Sequence, residues 1–129
     1  TSGTRIKLRF FSGYKISSLN LNDPDLVEKA YAAGVPMGGD LFLEGTTSPS
    51  FLVFAQQDAR GAPLQRVQII KGWYDSEFSK ETKEKVYDIA CSDGLTVDPI
   101  THRCPNNGAS VDLSDCSISL QSNLAPQYA

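Results

Sequence analysis

The residues able to do chemistry in this chain are few and scattered. The single histidine, His102, stands two positions before Cys104, with Cys91 and Cys116 on either side. No CxxC pair or second histidine accompanies them, whereas a structural zinc usually takes four nitrogen or sulfur ligands, so no metal site is expected. A general base needs a nucleophile or proton partner within reach, and none is placed near His102 by any known spacing; no catalytic residue and no cofactor is assigned. The oxygen-bearing residues Asp93, Asp98, Asn106 and Asn107 are of the type calcium uses. They lack EF-hand order or DxD spacing, which favours a solvated loop.

Two places remain as ligand or interface candidates, and the cysteines as disulfide candidates, which makes three groups. The loop GVPMGGDLF, residues 34–42, contains Met37, the pair Gly38-Gly39 and the carboxylate Asp40. Adjacent glycines permit backbone angles closed to other residues and let a second backbone or a ligand approach. Phosphate loops follow a strand and open a helix, whereas this loop follows a helix and lacks the Lys and Ser/Thr of a Walker sequence, so a tight structural turn is preferred. Trp73 and Tyr74 could form a sugar or base platform, but one Trp beside Gly72 at a strand end is more often a lid over a core. The third candidate is the cysteine set. A Cys91–Cys104 disulfide would close a long irregular loop and restrict the unfolded chain by about 2–3 kcal/mol, leaving Cys116 as the odd thiol. Three reduced, partly buried thiols are the alternative.

The elements that must hold these residues are mostly strands. QRVQIIKGWYDSEFSKETKEKVYDIAC, residues 65–91, has two runs rich in β-branched and aromatic residues, 67–73 and 83–89, around a charged connection, and predicts an antiparallel hairpin. TRIKLRFF, residues 4–11, alternates, which predicts a strand with Ile6, Leu8 and Phe10 on one face and Arg5, Lys7 and Arg9 on the wet face. The basic stripe reads as a solubility device. Residues 24–33 predict the one helix, with Asp23 as cap, Pro24 at the first position, Asp25 at the positive end of the dipole, and Gly34 and Pro36 as terminators. Leu26, Val27, Ala30 and Tyr31 give it an apolar side.

SFLVFAQQD, residues 50–58, is apolar on both faces in its first half, as in strands at the middle of a sheet or between layers. The turn former DARGAP should fold it back onto residues 64–73 as a second hairpin. Beyond Cys91 the chain predicts a long excursion with turns at Asp93-Gly94, Asp98-Pro99 and residues 105–108. Short strands around Val111, Leu113, Ile118 and Leu120 follow, broken at Ser114-Asp115. The fold class expected is mainly β: an antiparallel β-sandwich, immunoglobulin-like, with one short α-helix near residues 24–33, forming a single domain over 1–129.

A chain of 129 residues with 40% hydrophobic content lies in the range of one core. Its net charge of -3 argues against phosphate-backbone binding, so no nucleic acid partner is expected. No apolar run reaches the length of a membrane span, and the first residues lack a signal-peptide profile.

The strings YAAGVPMGGDL, LQRVQIIKGW, EKVYDIACSDG and VDLSDCSIS resemble the C-terminal part of the bacterial domain-of-unknown-function family 3604 (DUF3604), and the resemblance runs from TRIKLRFFSGY to DCSIS. It implies a piece of a longer protein whose N-terminal part is similar to metal-dependent phosphoesterase-like hydrolases, with histidine and carboxylate ligands that these residues lack. It also implies export in many members, which suits a disulfide, and a further downstream cysteine able to pair with Cys116. The function expected is therefore a non-catalytic accessory domain whose partner is the rest of the parent polypeptide, with residues 34–40 set to cover the mouth of the catalytic part. A carbohydrate- or peptide-binding β-module is the alternative. An open sheet edge would also allow homodimerisation.

Overall fold

Strand β1 (Lys7–Gly13) is the centre of a three-stranded antiparallel sheet in the computed structural model, which describes residues 3–75 and 81–119. It is flanked by the two-residue β2 (Val35–Pro36) and by β3 (Ser50–Gln56), in the order β2-β1-β3. A 3-10 turn, Ile16–Ser18, and one helix, α1 (Leu26–Ala33), lie between β1 and β2. These elements make one compact unit, Ile6–Gln56. The second unit, Thr1–Arg5 with Gln57–Ala129, contains the ribbon of β4 (Arg66–Asp75) and β5 (Glu81–Cys91) and the short pair β6 (Ser110–Val111) and β7 (Ile118–Ser119). The chain is mainly β, as its strand-like runs predict, with three antiparallel sheets and one α-helix among the described residues.

The first unit is held by Phe11, Ile16, Leu26, Ala30 and Leu52, with Leu19, Ala33 and Phe54 packed against them. This corrects the face expected for β1. Ile6 and Leu8 are 47% and 52% exposed, and the buried residue is Phe11 at 1%, on the same side as Lys7 and Arg9. The helix and the 3-10 turn cover only the end of β1, so burial there falls to the residue whose phase faces them. Tyr31 meets the Phe11 ring edge-on at 4.8 Å between centroids, a favoured aromatic geometry, although the side chain is otherwise exposed.

Regular helix begins at Leu26, two residues later than predicted. The Asp23 carboxylate accepts the Asp25 N–H at 2.9 Å and pairs with the Lys29 ammonium, fixing the turn that leads in. At the other end Gly34 leaves in extended backbone, so freedom of rotation is not why glycine stands there. A Cβ on Gly34 would lie 2.6 Å from the Ser12 carbonyl oxygen, and one on Gly13 would lie 2.7 Å from that of Ala33. The two glycines let helix exit and strand end touch backbone to backbone, which brings β2 into register with β1 as Ser12 opposite Val35 and Phe11 opposite Pro36.

The predicted hairpin between β3 and residues 64–73 does not form. β3 pairs instead with β1, from Lys7 opposite Gln56 to Gly13 opposite Ser50, and it is an edge strand of its sheet. Leu52 and Val53, which point to opposite faces, are nonetheless both 7% exposed. DARGAP does turn: the Asp58 carboxylate accepts the N–H groups of Arg60 at 3.0 Å and Arg5 at 2.9 Å. The bond to Arg5 ties the turn to the start of the chain, and the strand that follows, β4, pairs with β5.

That ribbon runs in register from Arg66 opposite Cys91 to Asp75 opposite Glu81, with one bulge between Val67 and Gln68. Its connection, residues 76–80, lies outside the described residues, as does Leu120. The last sheet is closed by a turn in which Asp112 accepts from Ser114 N at 2.8 Å and Asp115 from Ser117 N at 2.8 Å, matching the break predicted at Ser114-Asp115.

Candidate functional site

The bulge in the ribbon is where the second unit concentrates its polar chemistry. It leaves Ile89 without a cross-strand partner and sets Asp88 opposite Gln68. The Asp88 side chain is fully buried. Its carboxylate accepts from Gln68 Nε2 at 2.6 Å and from the Cys104 backbone N–H at 2.7 Å, and it faces Arg66 at 3.3 Å and Arg103 at 3.5 Å. The Asp88 N–H in turn donates to the His102 carbonyl at 2.9 Å. Residues 102–104 are thus laid along β5, and Cys91 and Cys104 are joined in a disulfide beside them. Cys116 is a free, exposed thiol.

Burial works against the charged form of Asp88, but the bonds from Cys104 and Gln68 and the charges of Arg66 and Arg103 together outweigh it and hold the carboxyl below its ordinary range. The other shifted aspartates move the same way. Asp23 is lowered chiefly by Lys29, Asp58 by the Arg5 backbone, Asp98 by the Thr101 backbone, Asp112 by Ser114 and Asp115 by Ser117. Each of these five carboxylates is kept ionised by the turn it supports. Among the described residues no three of His, Cys, Asp or Glu converge in the manner of a metal site.

The candidates named from sequence fall in both units. Residues 36–39 form a tight turn in which the Gly39 N–H donates to the Pro36 carbonyl at 3.1 Å and Gly38 has φ +87°, a conformation that glycine suits. A Cβ on Gly39 would strike the Val35 side chain, while the space around Gly38 is open. Met37 and Asp40 are exposed beside the turn. All four belong to the first unit and Trp73 to the second. Of Asp93, Asp98, Asn106 and Asn107, Asp98 caps its own turn by accepting from Ile100 N at 2.8 Å and Thr101 N at 2.7 Å. Asn107 bridges Gln65 and Ser92, and Ser92 bonds Asp93 at 2.6 Å. Gln65, Asp93 and Asn107 line an open cleft of about 240 Å³ with Leu64, Val111 and Ile118.

Trp73 is not the core lid preferred from its position: it is 39% exposed, on one face of the β4–β5 ribbon. Cross-strand pairing gives that face three successive rows: Ile69 with Tyr87, Lys71 with Lys85, and Trp73 with Lys83. The Lys71 ammonium lies 5.2 Å from the centroid of the Trp73 ring, and that of Lys85 lies 5.0 Å from Tyr87, within cation–π range. The His102 ring approaches Tyr87 at 5.2 Å. Asp88 and this lysine–aromatic face both escaped the sequence reading. The face was signalled by the alternation Lys71-x-Trp73 and Lys83-x-Lys85-x-Tyr87, whereas nothing marked Asp88 apart from other acids in a charged strand.

Protein of unknown function (DUF3604) is the description of the family model that matches residues 1–125. No curated protein and no solved structure matches the chain. A family match over nearly the whole length means that the chain belongs to the DUF3604 family.

Proposed function

We propose that this member of the DUF3604 family is a non-catalytic accessory β-domain, and that the reaction of its parent polypeptide is carried by groups outside these residues. The observation that carries this is the bonding of six aspartates. Asp23, Asp58, Asp98, Asp112 and Asp115 are lowered by hydrogen bonds in turns, and Asp88 by its bonds to the Cys104 backbone and Gln68 at the bulge of the ribbon. A general acid at neutral pH needs the opposite shift, as when a carboxyl is raised in an apolar pocket. The metal ligands of the parent are proposed to lie in an N-terminal part, as the resemblance to hydrolase-like proteins implies, and the rest of that polypeptide is the partner proposed. The exposed turn carrying Met37 and Asp40 is the contact proposed for it. The Cys91–Cys104 bond favours an exported, oxidising setting. Assay of the purified chain against phosphoesters, with zinc and manganese titrated by calorimetry, is expected to give neither turnover nor tight binding. Micromolar metal affinity would overturn the proposal.

A second function, a ligand-binding β-module for carbohydrate or peptide, is favoured by one observation: Trp73 is 39% exposed among cationic neighbours, where a purely structural Trp would be buried.

A further inference from the structure

We infer that the face of the β4–β5 ribbon bearing Lys71, Trp73, Lys85 and Tyr87 is a binding surface for an acidic polysaccharide. This deepens the binding-module function above and rests on it. Lys71 and Lys85 are directly opposed across the strands. Like charges in that position repel and weaken a ladder. Among the described residues neither lysine has a carboxylate partner; each leans instead over a ring on its own strand, Lys71 toward Trp73 and Lys85 toward Tyr87. Those rings lie in opposite directions along the ribbon, so the two ammonium groups splay apart around the middle row. An anionic group seated on that row would pair with both and relieve their repulsion.

The flanking rows decide the class of ligand. Trp73 and Tyr87 stand on different strands, their rows separated by about 14 Å along the ribbon at the usual strand rise. Drawn toward an anion, each ammonium would uncover the ring beneath it, and an aromatic face stacks well on the C–H face of a sugar. A chain with acid groups between stackable rings meets this pattern: anion at the centre, ring on either side. Acidic peptides are less suited, because extended peptides bind through backbone bonds at a sheet edge, and this surface is a face. Nucleic acid is disfavoured by the net charge of -3 and by Glu81, which ends the cationic stretch on the same face.

Trp73 is the sole tryptophan, so its emission reports on the site directly. The 129-residue chain would be titrated with polygalacturonate, a sulfated dextran, neutral dextran, poly-glutamate and an oligodeoxythymidylate, at moderate salt. Expected is binding to the uronate or the sulfated polymer with a change in Trp73 fluorescence, and the two arms tell which acid group is read. Neutral dextran should not bind. Lys71→Gln with Lys85→Gln should weaken binding at least tenfold. Read by calorimetry, since the Trp73 variants lack the reporting ring, Trp73→Ala should weaken it about tenfold, with most of the loss restored by Trp73→Phe, while Lys15→Gln in the other unit should change nothing. Binding indifferent to the Trp73 and lysine substitutions would reduce the effect to bulk charge and overturn the inference. Equal or tighter binding of poly-glutamate or the oligonucleotide would overturn it in favour of another partner class. Binding of neutral dextran alone would overturn the anionic assignment but leave the binding-module function standing, and no binding at all would remove both. The accessory-domain function is judged separately, by the phosphoester and metal assays.

Discussion

The backbone N–H of Cys104 donates to the carboxylate of Asp88 at 2.7 Å, and the sulfur of the same Cys104 is bonded to Cys91, three residues beyond Asp88 on the same strand. One residue of the loop is therefore held twice, once by a charge-assisted hydrogen bond and once covalently. The two ties share one purpose, which is to lay an irregular segment along the edge of β5 and satisfy backbone groups that would otherwise be open.

Removing the carboxylate should show its share. Asp88→Ala leaves the Cys104 N–H and the Gln68 amide without their acceptor beside two guanidinium groups, and should lower stability by about 2–4 kcal/mol. Asp88→Asn keeps an acceptor oxygen and should cost less. Urea denaturation of both variants tests this; an Asp88→Ala midpoint equal to that of the parent would refute it.

The same group gives the stability a pH dependence of known sign. Its folded pKa lies below the ordinary 3.8, so the unfolded chain binds the proton more readily. The contribution is fully present above the ordinary aspartate range and is lost as pH falls through the folded value. The lowered aspartates of the turns act in the same direction, with smaller effect at the exposed Asp98, Asp112 and Asp115. Midpoints measured from pH 6 down to pH 2.5 should fall chiefly below about pH 4, and the Asp88→Asn variant should show a shallower decline. Parallel curves would count against Asp88 as a source.

Reduction of Cys91–Cys104 opens a loop of sequence separation 13 and should lower stability by about 3 kcal/mol on the loop-closure account. The Asp88 bond to Cys104 should then carry the loop alone. Hydrogen exchange at the Asp88 and Cys104 amides after mild reduction should therefore speed up without complete loss of protection in the ribbon. Unchanged exchange would mean that the disulfide does not support this contact.

Gly13→Ala and Gly34→Ala place a Cβ within 2.7 Å and 2.6 Å of a backbone oxygen, which cannot move without displacing strand or helix. Each should cost about 1–3 kcal/mol, a typical overpacking penalty. Gly38→Ala meets open space and pays only for its φ of +87°, so it should be the milder change, near 1 kcal/mol. Thermal denaturation ranks the three; Gly38→Ala proving the most damaging would contradict the close-approach account.

Local chemistry was legible because it depends on neighbours in the chain. The β-branched and aromatic runs 67–73 and 83–89 named the ribbon, and Asp23, Pro24 and the residues after them named the helix to within two positions. Turn formers at Asp58, Asp98 and residues 114–115 turn where they were predicted to. Each involves hydrogen bonds spanning a few residues, which residue type alone can specify.

What the sequence by itself determined, then, is a mainly β chain of the DUF3604 family with one helix and its turns. Tertiary structure alone decided which strand β3 would join, which phase of β1 would be buried, and that Asp88 in place of any other acid would lie under a loop. Pairing partners and buried faces depend on contacts between segments far apart in the chain, where many registers satisfy the same local pattern. Only packing chooses among them: α1 covers the Phe11 end of β1, and two glycines let it come close enough to do so.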